Sequence, residues 1–288
     1  MTTSLHFPIT LKLIISTLAS LVVITLFFIT RTDFSTSSFQ PAPAKTIQIS
    51  SSESVSCGKI PPSLADALIH YAASNVTPQQ TFSEISVTKK VLDKKTSPCN
   101  FLVFGLGHDS LMWASLNHGG RTVFLDEDES WIRQISEKFP SLESYHVRYE
   151  TKVRDAAALM SAARDGEECR PGVSVDLRLS KCELALKGLP EVVYETEWDL
   201  IMVDAPTGFH EEAPGRMSAI YTAGMLARSR VRGETTAVFV HDVDRTVEDE
   251  FSMAFLCKDY MTEQQGRLRH FTVPSHRNYN ISGGTFCS

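Results

Sequence analysis

The chain has 288 residues, of which 22% are charged and 42% hydrophobic, and its formal net charge is −6. This is the composition of an ordinary globular protein, and the length suits one large domain with an appendage. The negative net charge gives no reason to expect nucleic acid as a partner.

The first predicted element is a membrane anchor. Residues 13–30 contain no charged side chain, and Lys12 and Arg31 flank them. A helix needs roughly 17–25 apolar residues to cross a bilayer. The alternative is a cleaved signal peptide, but the apolar run is long and no small-residue cleavage site follows it. We therefore predict a cytosolic tail over residues 1–12 and an uncleaved anchor over 13–30. The flanking charges nearly balance, so they do not set the orientation.

Sequons and cysteines place the rest of the chain in an oxidising compartment. Asn75 and Asn280 each begin a glycosylation sequon. Six cysteines follow the anchor, an even number, and none is paired in the C-x-x-C spacing of zinc ligands: Cys57, Cys99, Cys169, Cys182, Cys257 and Cys287. Six buried thiols in a cytosolic enzyme are the alternative. Beside an anchor and two sequons, a lumenal domain with disulfides is favoured. The best candidate pair is Cys169 with Cys182, which bracket a Pro-Gly loop.

A stem and an alternating α/β pattern follow the anchor. Residues 31–56 are rich in Ser, Thr, Pro and Ala and read as a flexible stem, and the catalytic domain is expected over 57–288. Helices are predicted over 61–73 and 78–92. Six strands then alternate with helices, with the strands at 100–104, 122–125, 145–149, 200–203, 237–240 and 267–273, and the helices at 110–117, 130–139, 153–164, 217–230 and 247–256. This order predicts a doubly wound, mostly parallel α/β sheet, which collects ligands at the carboxyl ends of its strands.

The first strand ends in a glycine loop that is typical of nucleotide-like cofactors. Gly105 and Gly107 form Gly-x-Gly directly after strand 100–104. Such glycines let the backbone approach a ligand, although a tight strand-to-helix turn would also explain them. The dinucleotide fingerprint needs a third glycine where Ser110 stands, which disfavours a dehydrogenase. The pattern fits an S-adenosylmethionine (AdoMet) site better.

Acidic residues after the second strand complete that pattern. Asp126 directly follows the last apolar residue of strand 122–125 and is the favoured ligand of the cofactor ribose, with Glu127 as the second choice. A solvated acidic turn is the alternative. The joint order of Gly-x-Gly, these acids and a later strand ending in Asp204 favours cofactor binding.

Two later strands bring acids and a histidine to the same edge. Asp204 follows strand 200–203, and His241 and Asp242 follow strand 237–240. The three are candidate catalytic residues. One of them could take a hydroxyl proton, or Asp204 and Asp242 could bind a divalent metal cation. Helix capping explains an Asp at this place equally well, but not the histidine beside it.

The loop after Asp204 supplies candidate substrate contacts. It carries His210 and Arg216, and loops at this edge hold substrates in α/β enzymes. Arg216, or alternatively Arg245, could bind a carboxylate through two parallel hydrogen bonds. A solvated loop is the competing interpretation.

Four segments resemble the plant glucuronoxylan 4-O-methyltransferase family. They are Cys99–Trp113 (CNFLVFGLGHDSLMW), Leu116–Asp128 (LNHGGRTVFLDED), Val203–Met217 (VDAPTGFHEEAPGRM) and Ile220–Gly224 (IYTAG). The wider group includes arabinogalactan glucuronic-acid methyltransferases and the irregular-xylem xylan proteins. The resemblance runs from residue 57 to the end, with the family's glycine loop at Gly105 and Gly107 and its acidic strand end at residues 126–128.

The resemblance implies an AdoMet-dependent methyltransferase that modifies O-4 of glucuronic acid side residues on glucuronoxylan. It implies a single-pass type II protein of the Golgi membrane with a lumenal catalytic domain. Dependence on a divalent metal is associated with the family, without a motif that places its ligands. Methylation of arabinogalactan is one alternative. A non-catalytic scaffold of wall-polysaccharide synthesis is another, which the intact glycine loop disfavours.

Overall fold

The computed structural model describes residues 60–95, 98–172, 176–230, 235–276 and 286–287. The predicted anchor, the stem, Cys57 and the sequon at Asn280 lie outside these ranges. Within them, no helix combines the length and the apolar character needed to span a bilayer.

A seven-stranded sheet forms the centre of the domain, in the order β3-β2-β1-β4-β5-β7-β6. Strands β1 to β5 are parallel, and β7 and β6 pair antiparallel at one edge. The strands are β1 Asn100–Phe104, β2 Arg121–Asp126, β3 Glu143–His146, β4 Leu200–Val203, β5 Thr235–Val240, β6 Met261–Gln265 and β7 Leu268–Pro274. The predicted mostly parallel α/β sheet is confirmed.

Eight α-helices accompany the sheet within the described ranges. They are α1 Pro62–Ala73, α2 Phe82–Asp93, α3 Ser110–Leu116, α4 Glu129–Lys138, α5 Ala156–Asp165, α6 Glu191–Glu195, α7 Met217–Ser229 and α8 Thr246–Ser252. Helix α2 begins with a capping box between Thr81 and Glu84, which satisfies donors at the helix start. Helix α8 continues as a π-turn over Met253–Cys257.

Side chains of alternate residues on the central strands pack into two separate hydrophobic clusters. Leu102 and Phe104 of β1 pack into one, and Phe101 and Val103 pack into the other. Because side chains alternate across a strand, both faces of the sheet must be covered, as the doubly wound prediction requires. Helix α7 is buried along almost its whole length in the first cluster.

The edges of the sheet depart most from the sequence predictions. Strand β6 was not predicted, because Met261–Gln265 is mostly polar and is half exposed at an outer edge. Its hairpin with β7 turns at Gly266, where φ is +55°. Strand β3 lies at 143–146 instead of 145–149, since its partly exposed side chains carry little hydrophobic pattern. The central strands β1 and β4 were predicted with their observed bounds.

Two disulfides are present in the described part of the chain. The predicted pair Cys169–Cys182 is confirmed, and Cys257 pairs with Cys287 near the carboxyl terminus. Each closes a short loop, which restricts the unfolded chain and so stabilises the fold. Disulfides of this kind persist in oxidising compartments.

Candidate active site

The candidate site is a cavity at the carboxyl ends of β1, β2 and β4. The order of strands reverses between β1 and β4, so the connecting segments leave in opposite directions and open a crevice there. A cavity of about 290 Å³ occupies this position, and the segment before α2 closes one side of it. We call it the switch-point cavity. Its lining includes Gly105, Gly107, Asp109, Asp126 and Asp204.

The glycine loop leaves its backbone open to this cavity. Gly105 has φ +126°, and a Cβ there would lie 3.3 Å from Ala205 Cβ. A Cβ on Gly107 would lie 2.8 Å from Asp109 Oδ1, closer than real Cβ contacts allow. The backbone conformation of Gly105 favours glycine, and a side chain at position 107 would require the Asp109 carboxylate to move. Without side chains at these two positions, the backbone of the loop can come into direct contact with the predicted cofactor.

Asp126 and Glu127 diverge from the end of β2. Asp126 lines the switch-point cavity and accepts hydrogen bonds from the Leu106 and Asp128 amides, each at 2.9 Å. Burial raises the pKa of Asp126, and these two bonds only partly oppose the shift. Glu127 turns towards the next loop, where its Oε1 accepts the Thr207 amide at 2.9 Å. Of the two predicted ribose ligands, Asp126 is the one that lies in the cavity.

The predicted neighbours at the ends of β4 and β5 do meet. His241 Nδ1 lies 2.9 Å from Asp204 Oδ1, and Gln80 Nε2 donates to Asp204 Oδ2 at 3.1 Å. The His241 side chain is fully buried, whereas that of Asp204 is 17% exposed and lines the cavity. Asp204 is thus the member of the cluster that a substrate can touch, and His241 supports it from behind.

Asp204 is held in its ionised form. Burial would raise its pKa, but the hydrogen bond with His241 and the charge of Arg216 outweigh that effect and lower the pKa below its ordinary value. Arg216 Nη2 lies 3.3 Å from Asp204 Oδ1. The cavity therefore presents a carboxylate, not a carboxylic acid, at neutral pH.

Asp242 is surrounded by arginines instead of capping a helix. Its backbone has φ +61° and its side chain is almost fully buried. Arg216 Nη2 and Arg245 Nη2 lie 2.8 and 3.0 Å from Oδ2, and Arg267 Nη1 donates to Oδ1 at 2.5 Å. The following helix begins at Thr246 after Arg245, so the capping role considered for Asp242 is not observed.

The same arginines decide how well the cluster suits a metal. Ligand atoms of Asp204, His241 and Asp242 lie within 4.8 Å of one another, which is close enough for shared coordination. However, both oxygens of Asp242 are held by guanidinium groups, and His241 Nδ1 is bonded to Asp204. A divalent cation would be placed against three positive charges. The residues as arranged do not fit the predicted metal site.

Arg216 lies inside the domain, not at its rim. It is only 4% exposed, and besides its contacts with the Asp204, Asp242 and Glu248 carboxylates it donates to the His241 carbonyl at 2.8 Å. The structure thus places Arg216 in contact with Asp204 and Asp242 inside the domain, whereas a contact with substrate was predicted. Arg245, the alternative, has a side chain that is 30% exposed.

The loop after Asp204 presents an aromatic pair to solvent. His210 packs edge-on against Phe209, with ring centroids 4.9 Å apart, and Phe209 is 75% exposed. Thr207 is tied to Glu127 and Glu212 to Lys152, so the loop is anchored on both sides of the pair. His210 is therefore available to a substrate, but the structure does not bring it to Asp204 or His241.

Sequence reasoning missed other residues of the cavity. Asp109 follows the glycine loop directly before α3, Trp113 lies on α3, and Trp131 of α4 donates to the Leu106 carbonyl. Gln80, which binds Asp204, comes from the segment before α2. Asp109 had a signal, because it stands two residues beyond Gly-x-Gly. Gln80 does not itself line the cavity and had no signal, since only the tertiary fold brings it to Asp204.

Comparison with known proteins assigns the chain to a protein family. The family model described as IRX15/IRX15L/GXM matches residues 83–271. The chain belongs to this family. It is 61% identical to glucuronoxylan 4-O-methyltransferase 3 of Arabidopsis thaliana, over 93% of this chain and 92% of the relative. It is 63% identical to glucuronoxylan 4-O-methyltransferase 2 of the same plant, over 93% and 91%. Arabinogalactan O-methyltransferase 2, also from Arabidopsis thaliana, is 50% identical over 77% and 76%.

We predict that Gly107→Val abolishes AdoMet binding while the domain stays folded. The new Cβ would lie 2.8 Å from Asp109 Oδ1, between two residues that both line the switch-point cavity, so added bulk there would displace the wall of the cavity. Isothermal titration calorimetry measures the affinity, and the thermal midpoint controls for folding. Wild-type affinity in a folded variant would show that the cofactor lies elsewhere.

The same titration separates the two ribose candidates. Asp126→Ala should weaken AdoMet, because Asp126 lines the cavity, whereas Glu127→Ala should do so less, because Glu127 faces Thr207. The reverse order would move the ribose assignment by one residue.

Proposed function

We propose that the protein transfers a methyl group from AdoMet to O-4 of glucuronic acid side residues on glucuronoxylan. Its identity of 61–63% with two relatives named glucuronoxylan 4-O-methyltransferase, over 93% of the chain, carries this proposal. The switch-point cavity supports it, because bare glycine backbone, the Asp126 carboxylate and the Asp204 carboxylate surround one space. AdoMet supplies an electrophilic methyl group on a positively charged sulfur.

The acceptor hydroxyl must lose its proton during the transfer. A sugar hydroxyl is a poor nucleophile at neutral pH, but its proton becomes strongly acidic as the oxygen bonds to carbon. A carboxylate of low pKa is then basic enough to take it. Asp204 is ionised, lines the cavity and is oriented by His241 and Gln80. We assign Asp204 as the general base, with His241 and Arg216 as the residues that position it.

Asp204→Asn should lower kcat by about a hundredfold or more, the usual contribution of a general base, while AdoMet affinity changes little. His241→Ala should lower kcat less, since His241 acts through Asp204. Methyl transfer to glucuronoxylan gives kcat, and calorimetry gives the affinity. Near-normal turnover in both variants would place the chemistry elsewhere, with His210 as the next residue to test.

Arg245 and Phe209 together have the chemistry of a site that binds a uronate sugar. A glucuronic acid residue carries a carboxylate and an apolar ring face. Arg245 is partly exposed, and Gly208 packs beside it, because a Cβ on Gly208 would lie 3.5 Å from Arg245 Nη1. The exposed Phe209 ring follows next in the chain. We propose that Arg245 contacts the carboxylate and that Phe209 packs against the sugar.

Arg245→Ala should raise the KM for glucuronoxylan roughly tenfold with little change in kcat, because a charged hydrogen bond to the ground-state substrate is lost. Arg133→Ala, on the exposed side of α4, is a matched control and should leave KM unchanged. Arg216→Ala should instead destabilise the domain by about 3–5 kcal/mol, the usual cost of breaking a buried ion pair. An unaltered KM in Arg245→Ala would remove Arg245 from the acceptor site.

An acceptor comparison tests the proposal as a whole. The purified domain is incubated with AdoMet carrying a labelled methyl group and either glucuronoxylan or arabinogalactan, and the methylated sugar is identified. We expect label at O-4 of glucuronic acid in glucuronoxylan. Label in arabinogalactan alone would favour the second substrate class. AdoMet binding without transfer to either would favour the scaffold role.

We also propose a Golgi type II topology, with residues 1–12 in the cytosol, an anchor over 13–30, a stem over 31–56 and the domain of residues 57–288 in the lumen. The two disulfides are compatible with a lumenal domain. Asn75 is exposed between α1 and α2, so its sequon is accessible. Glycosidase treatment should shift the wild type more than Asn75→Gln, and intact microsomes should protect the domain from protease. Digestion of the domain by protease without detergent would show that the domain faces the cytosol instead.

A further inference from the structure

One carboxylate of the switch-point cavity has no part in the chemistry described above. Asp109, Asp126 and Asp204 all line the cavity, and no lysine or arginine is found among the described residues that do so. Arg216 balances Asp204, and two backbone amides satisfy Asp126. Asp109 forms no ion pair within the described part of the chain, and its Oδ2 accepts a hydrogen bond from Trp113 Nε1 at 2.8 Å.

Asp109 does not act as a helix cap. It is the residue before α3, yet its side chain makes no capping hydrogen bond. Its Oδ1 stands over the glycine loop instead, because a Cβ on Gly107 would lie 2.8 Å from it. Burial, and then the charge of Asp204, raise the pKa of Asp109 to about 6. An acid with this environment gains free energy from a cation that enters the cavity.

We propose that Asp109 binds the α-ammonium group of the methionine moiety of AdoMet. The assignment rests on the proposed function, since it names one contact of the same cofactor. An ammonium group has three donors and a full charge, which complement a carboxylate that lacks a counter-ion. In this arrangement each of the three acids contacts a different group. Asp126 faces the ribose of AdoMet, Asp204 faces the acceptor hydroxyl, and Asp109 faces the methionine moiety of AdoMet.

A binding experiment tests the contact without turnover. S-adenosylhomocysteine and its analogue without the α-amino group are titrated into wild type, Asp109→Asn and Asp259→Asn by calorimetry. Asparagine keeps an acceptor for Trp113 Nε1, and Asp259 is an exposed residue whose loss changes net charge equally. Asp109→Asn should weaken S-adenosylhomocysteine roughly ten- to hundredfold, the range for a charged hydrogen bond. It should leave the weak binding of the analogue unchanged, and Asp259→Asn should alter neither ligand.

The pH dependence of wild-type binding gives a second measurement that needs no variant. The ammonium group stays charged between pH 5 and 8, whereas Asp109 must be ionised to bind it. Affinity for S-adenosylhomocysteine should therefore rise as the pH increases through about 6, the pKa of Asp109. The analogue should lack this part of the rise.

Three outcomes would overturn the assignment. Equal losses for both ligands in Asp109→Asn would assign the acid a purely structural role. Unchanged affinity for S-adenosylhomocysteine in a folded variant, or equal wild-type affinity for the two ligands, would remove the ammonium contact. In each case the proposed methyl transfer stands, because wild type still binds S-adenosylhomocysteine. Failure of wild type to bind AdoMet or S-adenosylhomocysteine would overturn the proposed function and this contact together.

Discussion

The carboxyl edge of the sheet depends on one buried cation. Arg216 lies between Asp204 at the end of β4 and Asp242 after β5, and it also donates to the backbone of His241. Two buried carboxylates would repel each other and each would be costly to remove from water. The guanidinium offsets both effects, because it contacts the two carboxylates at the ends of adjacent paired strands. Asp204 can therefore remain ionised beside a cavity.

Much of this arrangement could be predicted from the sequence, because it follows from strand order. A buried run that ends in Gly105, and two later runs that end in Asp204 and His241, place these residues at one edge of a parallel sheet. The observed contact between His241 Nδ1 and Asp204 Oδ1 at 2.9 Å agrees with that reasoning. The central strands carried strong hydrophobic patterns, whereas β6 and β3 lie at the edges and carried weak ones.

The contacts that the sequence does not predict are those set by the orientation of individual side chains. The sequence does not show that Arg216 turns inward while Arg245 stays partly exposed, because both follow strand ends on loops. It also does not bring Gln80 to Asp204, since 124 positions separate them along the chain. The need of a buried carboxylate for hydrogen-bond donors explains why Arg216 and Gln80 both reach Asp204. An ionised Asp204 needs donors from every side, and the nearest elements of the fold supply them, whatever their place in the sequence.

The charges of the switch-point cavity also bear on turnover. Methyl transfer converts a sulfonium cation into a neutral thioether, and in the proposed mechanism Asp204 becomes neutral as it takes the hydroxyl proton, so the ligand and the cavity each lose one charge. In the proposed site, attraction between Asp204 and the sulfur end is lost at that moment, whereas the proposed contact between Asp109 and the ammonium group persists. Once Asp204 has released that proton, a cavity lined by acids, with no lysine or arginine among its described lining residues, binds the sulfonium ligand more tightly than the neutral thioether. The same carboxylates that favour binding of AdoMet therefore leave S-adenosylhomocysteine, which lacks the sulfonium charge, with a lower affinity for the cavity.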